Sequence, residues 1–315
     1  MLHEEVRARL ELLNRQRLPD HNGAADSGPC ALDRPHAPAL LSPAESQAGE
    51  TDLSLSALAP GRVEYGPAGC HWLVRHRVAD LWHGAVAIGG HSSRHTPCAV
   101  RPDDPMPGDS IHPEIAAFVG GFPRDVLFLD LETCGFAGSP IFLAGVVYQD
   151  ERELVLEQLL ARDYTEERAL LAALGELARS RPVLVTFNGK SFDWPMVRDR
   201  SAYHRLGVGD ESSNRNGDGH GPSVSGPAGP VHCDLLHHAR RRWRRRLPNC
   251  KLQTLERFLC RRLRRDDISG SRIGQEYHYF VRSGDARSMQ VILHHNALDL
   301  ITLVELAMLV SKSAG

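Results

Sequence analysis

The stretch VLFLDLE, residues 126–132, decides how the rest of the chain is read. It is a short apolar run without glycine or proline, which reads as a buried strand. Side chains alternate along a strand, so Asp130 and Glu132 share one face while Leu127, Leu129 and Leu131 take the other. Two carboxylates about 4 Å apart repel by roughly 4 kcal/mol at an effective dielectric near 20. Such a pair calls for a cation or a shared proton, unless both acids simply reach water at the strand end.

Working outward, IFLAGVVY (141–148) and RELVLEQLL (152–160) read as the next two strands. Residues 165–179 form a helix with Leu170, Leu171, Leu174 and Leu177 as its apolar stripe. PVLVTFN (182–188) is a fourth strand, 191–206 a helix, and VHCDLL (231–236) a fifth strand running into an arginine-rich helix. Further helices are expected over 252–264 and 286–310. Three strands with short connections, followed by alternating helix and strand, indicate an α/β fold: a mixed five-stranded sheet flanked by helices. This domain spans 124–310, with a Gly/Ser/Pro/Asn-rich flexible insertion at 207–230.

The N-terminal part has a different character. Leu2, Val6, Leu10 and Leu13 lie on one face of a short helix within residues 1–17. Residues 18–60, rich in Pro, Ala, Ser and Gly, read as a disordered linker. Residues 61–113 form a small β-rich segment, with a hairpin around Gly-Pro-Ala-Gly inside 61–92 and a proline-rich loop over 93–113.

Composition narrows the class. The 315 residues carry 37 Lys+Arg, 39 Asp+Glu and 17 His, a formal net charge of -2, and 42% are hydrophobic. That excludes a fully disordered or collagen-like chain. The seven cysteines contain no CxxC pair, so neither a disulfide framework nor a zinc ribbon is indicated. His232, Cys233, His237, His238, Cys250 and Cys260 match no standard zinc-ligand spacing. No membrane span and no signal peptide are read, so a cytoplasmic protein is expected.

Two more segments join the first acids. In FNGKSFDWP (187–195) a strand ends at Asn188-Gly189 and Asp193 falls on the first turn of a helix, with Ser191 as the expected N-cap. Asp193 then either complements the helix dipole or belongs to a site. In HHNALD (294–299), His295 and Asp299 are four apart and share a helix face, whereas His294 is turned away. Asp130, Glu132, Asp193 and Asp299 with a histidine suit two Mg²⁺ or Mn²⁺ ions, which take hard oxygen ligands.

The ordered set resembles the DEDD superfamily of 3′–5′ exonucleases, which share the ribonuclease H-like fold. FLDLET (128–133), TFNGKSFDWP (186–195), DLLHHARRRWRRRLPNCKLQTLE (234–256) and HHNALDLITL (294–303) are most similar to the YprB-type ribonuclease H-like family. The resemblance implies that Asp130 bridges two ions and that Glu132 and Asp299 hold the ion carrying the attacking water. Asp193 would serve the second ion, and a histidine would take or orient the water's proton. The His-Asn-x-x-Asp wording favours His295 as that catalytic residue, with His294 the runner-up. Cys134 departs from the family, where a second Thr often follows the Glu.

A basic segment supplies the expected contact surface. Residues 240–265 hold eleven arginines and Lys251 against Glu256 alone. Its core is Arg240, Arg241, Arg242, Trp243, Arg244, Arg245 and Arg246. Like charges stacked at helical spacing repel, and a polyanion would relieve them; the plain alternative is a solvated helix face. Trp243 reads as core before it reads as a base-stacking platform. Asn188 and Lys190 are further candidate contacts to substrate phosphate, and Asp234 reads as an N-cap. The expectation is a metal-dependent nuclease acting on DNA or RNA with a free 3′ end. The alternatives are a non-cutting nucleic-acid-binding module of the same fold and an endonuclease on RNA–DNA hybrids.

Overall fold

The computed structural model describes residues 53–82, 111–207, 230–264 and 268–311. The strands are β1 (Arg62–Gly66), β2 (Gly69–Arg77), β3 (Val126–Thr133), β4 (Ile141–Asp150), β5 (Glu153–Leu160), β6 (Val183–Thr186) and β7 (Val231–Asp234). The helices are α1 (Leu55–Leu58), α2 (Val78–Leu81), α3 (Pro113–Gly121), α4 (Glu167–Arg179), α5 (Asp193–Tyr203), α6 (Leu235–Trp243), α7 (Leu252–Leu255), α8 (Gly270–Ser283) and α9 (Arg287–Ser311).

The seven strands form one sheet in the order β1-β2-β5-β4-β3-β6-β7. Pairing is antiparallel from β1 to β3 and parallel from β3 through β6 to β7. Val126, Phe128, Val183, Val185 and Cys233 pack on one face against Phe118 of α3, Ala239 and Trp243 of α6, and Leu300, Leu303 and Val304 of α9. Leu127, Leu129, Leu131 and Leu184 pack on the other against Leu170, Leu171 and Leu174 of α4 and Val197 of α5. Each such fully buried side chain is worth roughly 1.5–3 kcal/mol relative to exposure. Coverage on both faces explains why β3 and β4 read as continuous apolar runs rather than alternating ones.

Register positions the site. Asp130 lies opposite Gly145 of β4, and Phe128 opposite Val185 of β6. β6 stops at Thr186, so β3 runs beyond its parallel neighbour. The Asp130–Glu132 end of β3 is therefore open on that side, at the carboxyl ends of two parallel strands.

The mixed α/β class holds, with three corrections. The expected hairpin is not a separate element: β2 pairs with β5 from Trp72↔Leu160 to Arg77↔Val155, so the sheet has seven strands rather than five. Part of the expected 18–60 linker is structured, since Leu55 and Ala59 are buried against β2, β4 and α8. Four helices were not expected, the short α1 and α2 and the longer α3 and α8, and the helix expected over 252–264 is only the short α7 followed by a π-helical turn, Glu256–Cys260. The expected helix over 2–17, most of the linker and nearly all of the 207–230 insertion lie outside the described residues.

Candidate metal centre

Three segments converge at the open end of β3. The turn after β6 is made by Asn188, which adopts a left-handed φ of 67°, and by Gly189, where a Cβ would stand 2.4 Å from Thr186 Oγ1. Only glycine allows so close a backbone approach. The fully buried Asp234 carboxylate locks this turn by accepting the backbone N–H groups of Asn188 (2.8 Å) and Lys190 (3.2 Å). It also accepts Leu236 N–H (3.0 Å), which caps α6 as expected. The expected Ser191 cap is replaced: Phe192 occupies the N-cap of α5 without a side-chain hydrogen bond, and Asp193 begins the helix.

Asp193 is buried and accepts a hydrogen bond from the Leu131 backbone, between the two acids of β3. Burial, reinforced by Asp234, pushes its carboxyl up to about 7 despite that bond. Asp130 is raised well above the ordinary carboxylate range, first by burial and then by the charges of Asp299, Glu132 and Asp193. Burial also raises Asp299, against the lowering influence of Arg264 and His295. The structure thus brings Glu132, Asp193 and Asp299 within electrostatic reach of Asp130. Like charges gathered out of water favour protonation, or a cation in the proton's place.

The two histidines separate cleanly. His294 is exposed, whereas the mostly buried His295 places Nε2 3.3 Å from Asp299 Oδ2 and 4.0 Å from Glu132 Oε1.

Several residues of this centre escaped the sequence reading. Asn296, fully buried, donates from Nδ2 to Asp130 Oδ2 (2.8 Å) and accepts from Gln158 Nε2 at Oδ1 (2.9 Å). Gln158 Nε2 also donates to Leu293 O at 2.7 Å, so this bridge ties β5, β3 and α9 together behind Asp130. Gly145 makes room for it, because a Cβ there would meet Asn296 Oδ1 at 2.0 Å. Asn296 stood inside the quoted His-Asn-x-x-Asp wording, but its helix position says nothing about reaching Asp130.

Arg264 is the other surprise. Its guanidinium, almost fully buried, pairs with Asp299 and with Glu256 Oε2 (2.6 Å), and Nη1 lies 3.4 Å from His295 Nδ1. Glu256, itself buried, also holds Arg262, which reaches Thr302 (2.8 Å) and Glu305 (3.0 Å) on α9. Part of the basic segment is therefore internal counter-charge rather than contact surface.

Most arginines of that segment's core face outward. Arg240, Arg241, Arg244, Arg245 and Arg246 are exposed, while Arg242 is half-buried with its guanidinium 5.3 Å from the Trp243 ring. Trp243 is buried in the core, as read. The helix ends at Trp243, so the helical stacking of like charges expected there does not run through to Arg246; the arginines sit on its last turn, where cations suit the helix dipole, and just beyond. Asn188 is exposed, and Lys190 is ion-paired to Glu114 at 2.6 Å. Although α9 is long and apolar enough to cross a membrane by composition, its apolar residues face the sheet, and it carries His295, Asn296 and Asp299 into the centre.

Comparison with known proteins agrees with this architecture. A model of the RNase_H superfamily matches residues 127–311, which include every acid of the centre. The protein YprB of Bacillus subtilis (strain 168) is 33% identical over 194 residues, covering 60% of this chain and 42% of that one. The chain thus spans less than half the length of that relative. Among solved structures, the family B DNA polymerase from the hyperthermophilic archaeon Pyrobaculum calidifontis is similar at a TM-score of 0.44 and 16% identity, over 58% of this chain and 24% of the polymerase.

Proposed function

Because this chain belongs to the RNase_H superfamily, we propose that it is a divalent-metal-dependent nuclease that removes nucleotides from the 3′ end of a nucleic acid. The observation that carries the reading is the buried Asp130 carboxyl, which burial and then the charges of Asp299, Glu132 and Asp193 hold well above its ordinary range. The donor set is all carboxylate oxygen, which fits Mg²⁺ or Mn²⁺. Asp130, Glu132 and Asp299 would hold one ion, and Asp130 with Asp193 the other. Bound there, the two ions supply charge for the scissile phosphate and the leaving oxygen and lower the pKa of a water.

The protein groups have distinct tasks. His295, with Nε2 turned toward Asp299 and Glu132, would take or orient the proton of the attacking water. Its exposed neighbour His294 has no such placement. Asn296 holds Asp130 Oδ2 in one orientation through its amide. The exposed arginines of 240–246 neutralise the phosphate backbone, beginning about 9 Å along α6 from Asp234 at 1.5 Å rise per residue. The 3′-end preference rests on the resemblance of the ordered set Asp-x-Glu, Asp, His-x-x-x-Asp to the DEDD superfamily.

One observation favours a second reading, a nucleic-acid-binding module that does not cut. Arg264 already answers part of the charge of Asp299. Incubating 5′-labelled single and double strands of DNA and RNA with Mg²⁺ or Mn²⁺ separates the readings. Stepwise shortening by wild type and none by Asp130→Asn supports the exonuclease. Internal fragments would replace it with an endonuclease. Equal inertness of both proteins on every substrate would leave the binding module.

A further inference from the structure

We propose that His112, Glu114 and His238 form a second metal site, for a transition-metal ion of the zinc type, sharing no residue with the four-acid centre. His112 is the N-cap of α3, Pro113 opens the helix, and Glu114 lies in its first turn. His238 projects from α6 with its side chain 5% exposed. The two helices bring His238 Nε2 to 3.0 Å from Glu114 Oε2, and the two imidazole rings to 4.8 Å between centroids. One ligand atom from each of the three residues lies within 4.8 Å of the others.

These distances suit a small tetrahedral ion. Ligands about 2.0–2.1 Å from zinc stand roughly 3.3 Å apart. The His238–Glu114 pair is already near that spacing, and His112, at the free end of its helix, has only to close by about 1–2 Å. Two imidazoles and one carboxylate favour zinc over magnesium, which prefers oxygen. An ion at His238 Nε2 would replace the proton that this nitrogen donates to Glu114. Burial, outweighing the hydrogen bond to Glu114, keeps the His238 imidazole below its usual range. Against the upward push of burial, hydrogen bonds from Lys190 and His238 keep the Glu114 carboxyl below its own.

The surroundings are organised as a ligand shell usually is. Lys190 Nζ pairs with Glu114 Oε1 at 2.6 Å, which orients the carboxylate and leaves Oε2 for the ion. Three protein ligands leave a fourth position for water or a substrate atom. Through Lys190 the ion would also be linked to the 188–190 turn that precedes Asp193. The zinc grouping drawn from sequence spacing contained His238 but none of its present partners. Glu114 lies 124 residues away, so only the packing of α3 on α6 reveals the set.

Isothermal titration of chelator-stripped full chain with Zn²⁺, in an Asp130→Asn/Asp299→Asn background that disables the carboxylate centre, tests the assignment. We expect one equivalent of Zn²⁺ to bind, and Co²⁺ to give the visible absorption of a four-coordinate ion. Glu114→Gln and, separately, His112→Ala should weaken binding by about 100-fold or more and remove the Co²⁺ band. His112 is the safer of the two for folding, because its side chain is not part of the buried core. No stoichiometric Zn²⁺, or binding that both variants retain, would overturn the site. Neither result bears on cleavage by the four acids, which the labelled-strand assay reads separately.

Discussion

Replacing Asp193 by Asn should stabilise the metal-free protein, by an amount that grows as pH rises from about 4 to about 7. Asn keeps an acceptor for the Leu131 backbone N–H and removes the charge. The carboxyl rises from an ordinary 3.8 to about 7 on folding. Between those values the folded state keeps a proton that the unfolded chain has released, so this group's contribution to stability falls as pH climbs and is fully unfavourable above about 7. At about 1.4 kcal/mol per tenfold change in proton affinity, the rise corresponds to about 4 kcal/mol. Asp193 is only 6% exposed, so solvent screening removes little of this. Urea denaturation with a chelator should therefore show Asp193→Asn more stable than wild type by about 3–4 kcal/mol at pH 8, and by only about 1–2 kcal/mol at pH 5. Saturating Mg²⁺ at pH 8 should narrow the gap, because ions binding the folded wild type stabilise it. A gap of the same size at both pH values, or a variant less stable than wild type at pH 8, would refute the reasoning.

Gly145→Ala places a Cβ 2.0 Å from Asn296 Oδ1 and 2.7 Å from Leu300 Cδ1; a loss of about 1–3 kcal/mol is expected in denaturant titration, with weaker Mg²⁺ affinity, and an unperturbed variant would deny Asn296 its role. Arg264→Gln leaves Glu256 short of one partner and Asp299 without its guanidinium; a loss of about 3–5 kcal/mol is expected in chelator, partly recovered on adding Mg²⁺, whereas a loss that Mg²⁺ does not touch would place Arg264 outside the metal centre's electrostatics. Arg244→Ala/Arg245→Ala/Arg246→Ala should lower the slope of log affinity against log salt by about 2–3, at roughly 0.7–0.9 per phosphate contact, measured by fluorescence anisotropy on a labelled strand; an unchanged slope would remove these arginines from the interface.

Much of the centre was legible because it rests on local rules. Strand alternation put Asp130 and Glu132 on one face, and helical spacing chose His295 over His294; the structure agrees on both points. Asp234 was readable as a cap because the short polar side chain precedes an apolar helix start. Its second task, holding the turn before Asp193, depends on β6 and β7 lying side by side and leaves no local mark. The seventh-strand architecture was hidden for a similar reason: β2 joins β5 about 90 residues later, a pairing no window of sequence contains. Helix α8 was missed because Gly270 and Gly274 weaken the helical pattern. Gly274 is there for packing, since a Cβ would come 2.7 Å from Cys134 O. The basic segment misled in part, because composition cannot tell Arg264, turned inward to Asp299 and Glu256, from Arg245, turned outward.

The central claim is that these four acids are gathered to hold divalent ions, and calorimetric titration of the chelator-stripped protein with Mg²⁺ tests it most directly, since magnesium discriminates against the imidazole-rich second cluster. The account expects wild type to bind Mg²⁺ with a heat that grows between pH 6 and 8 as Asp193 ionises, and Asp130→Asn to lose that binding while remaining folded. Mg²⁺ heats that are identical in wild type and Asp130→Asn, or absent from wild type across that range, would contradict it.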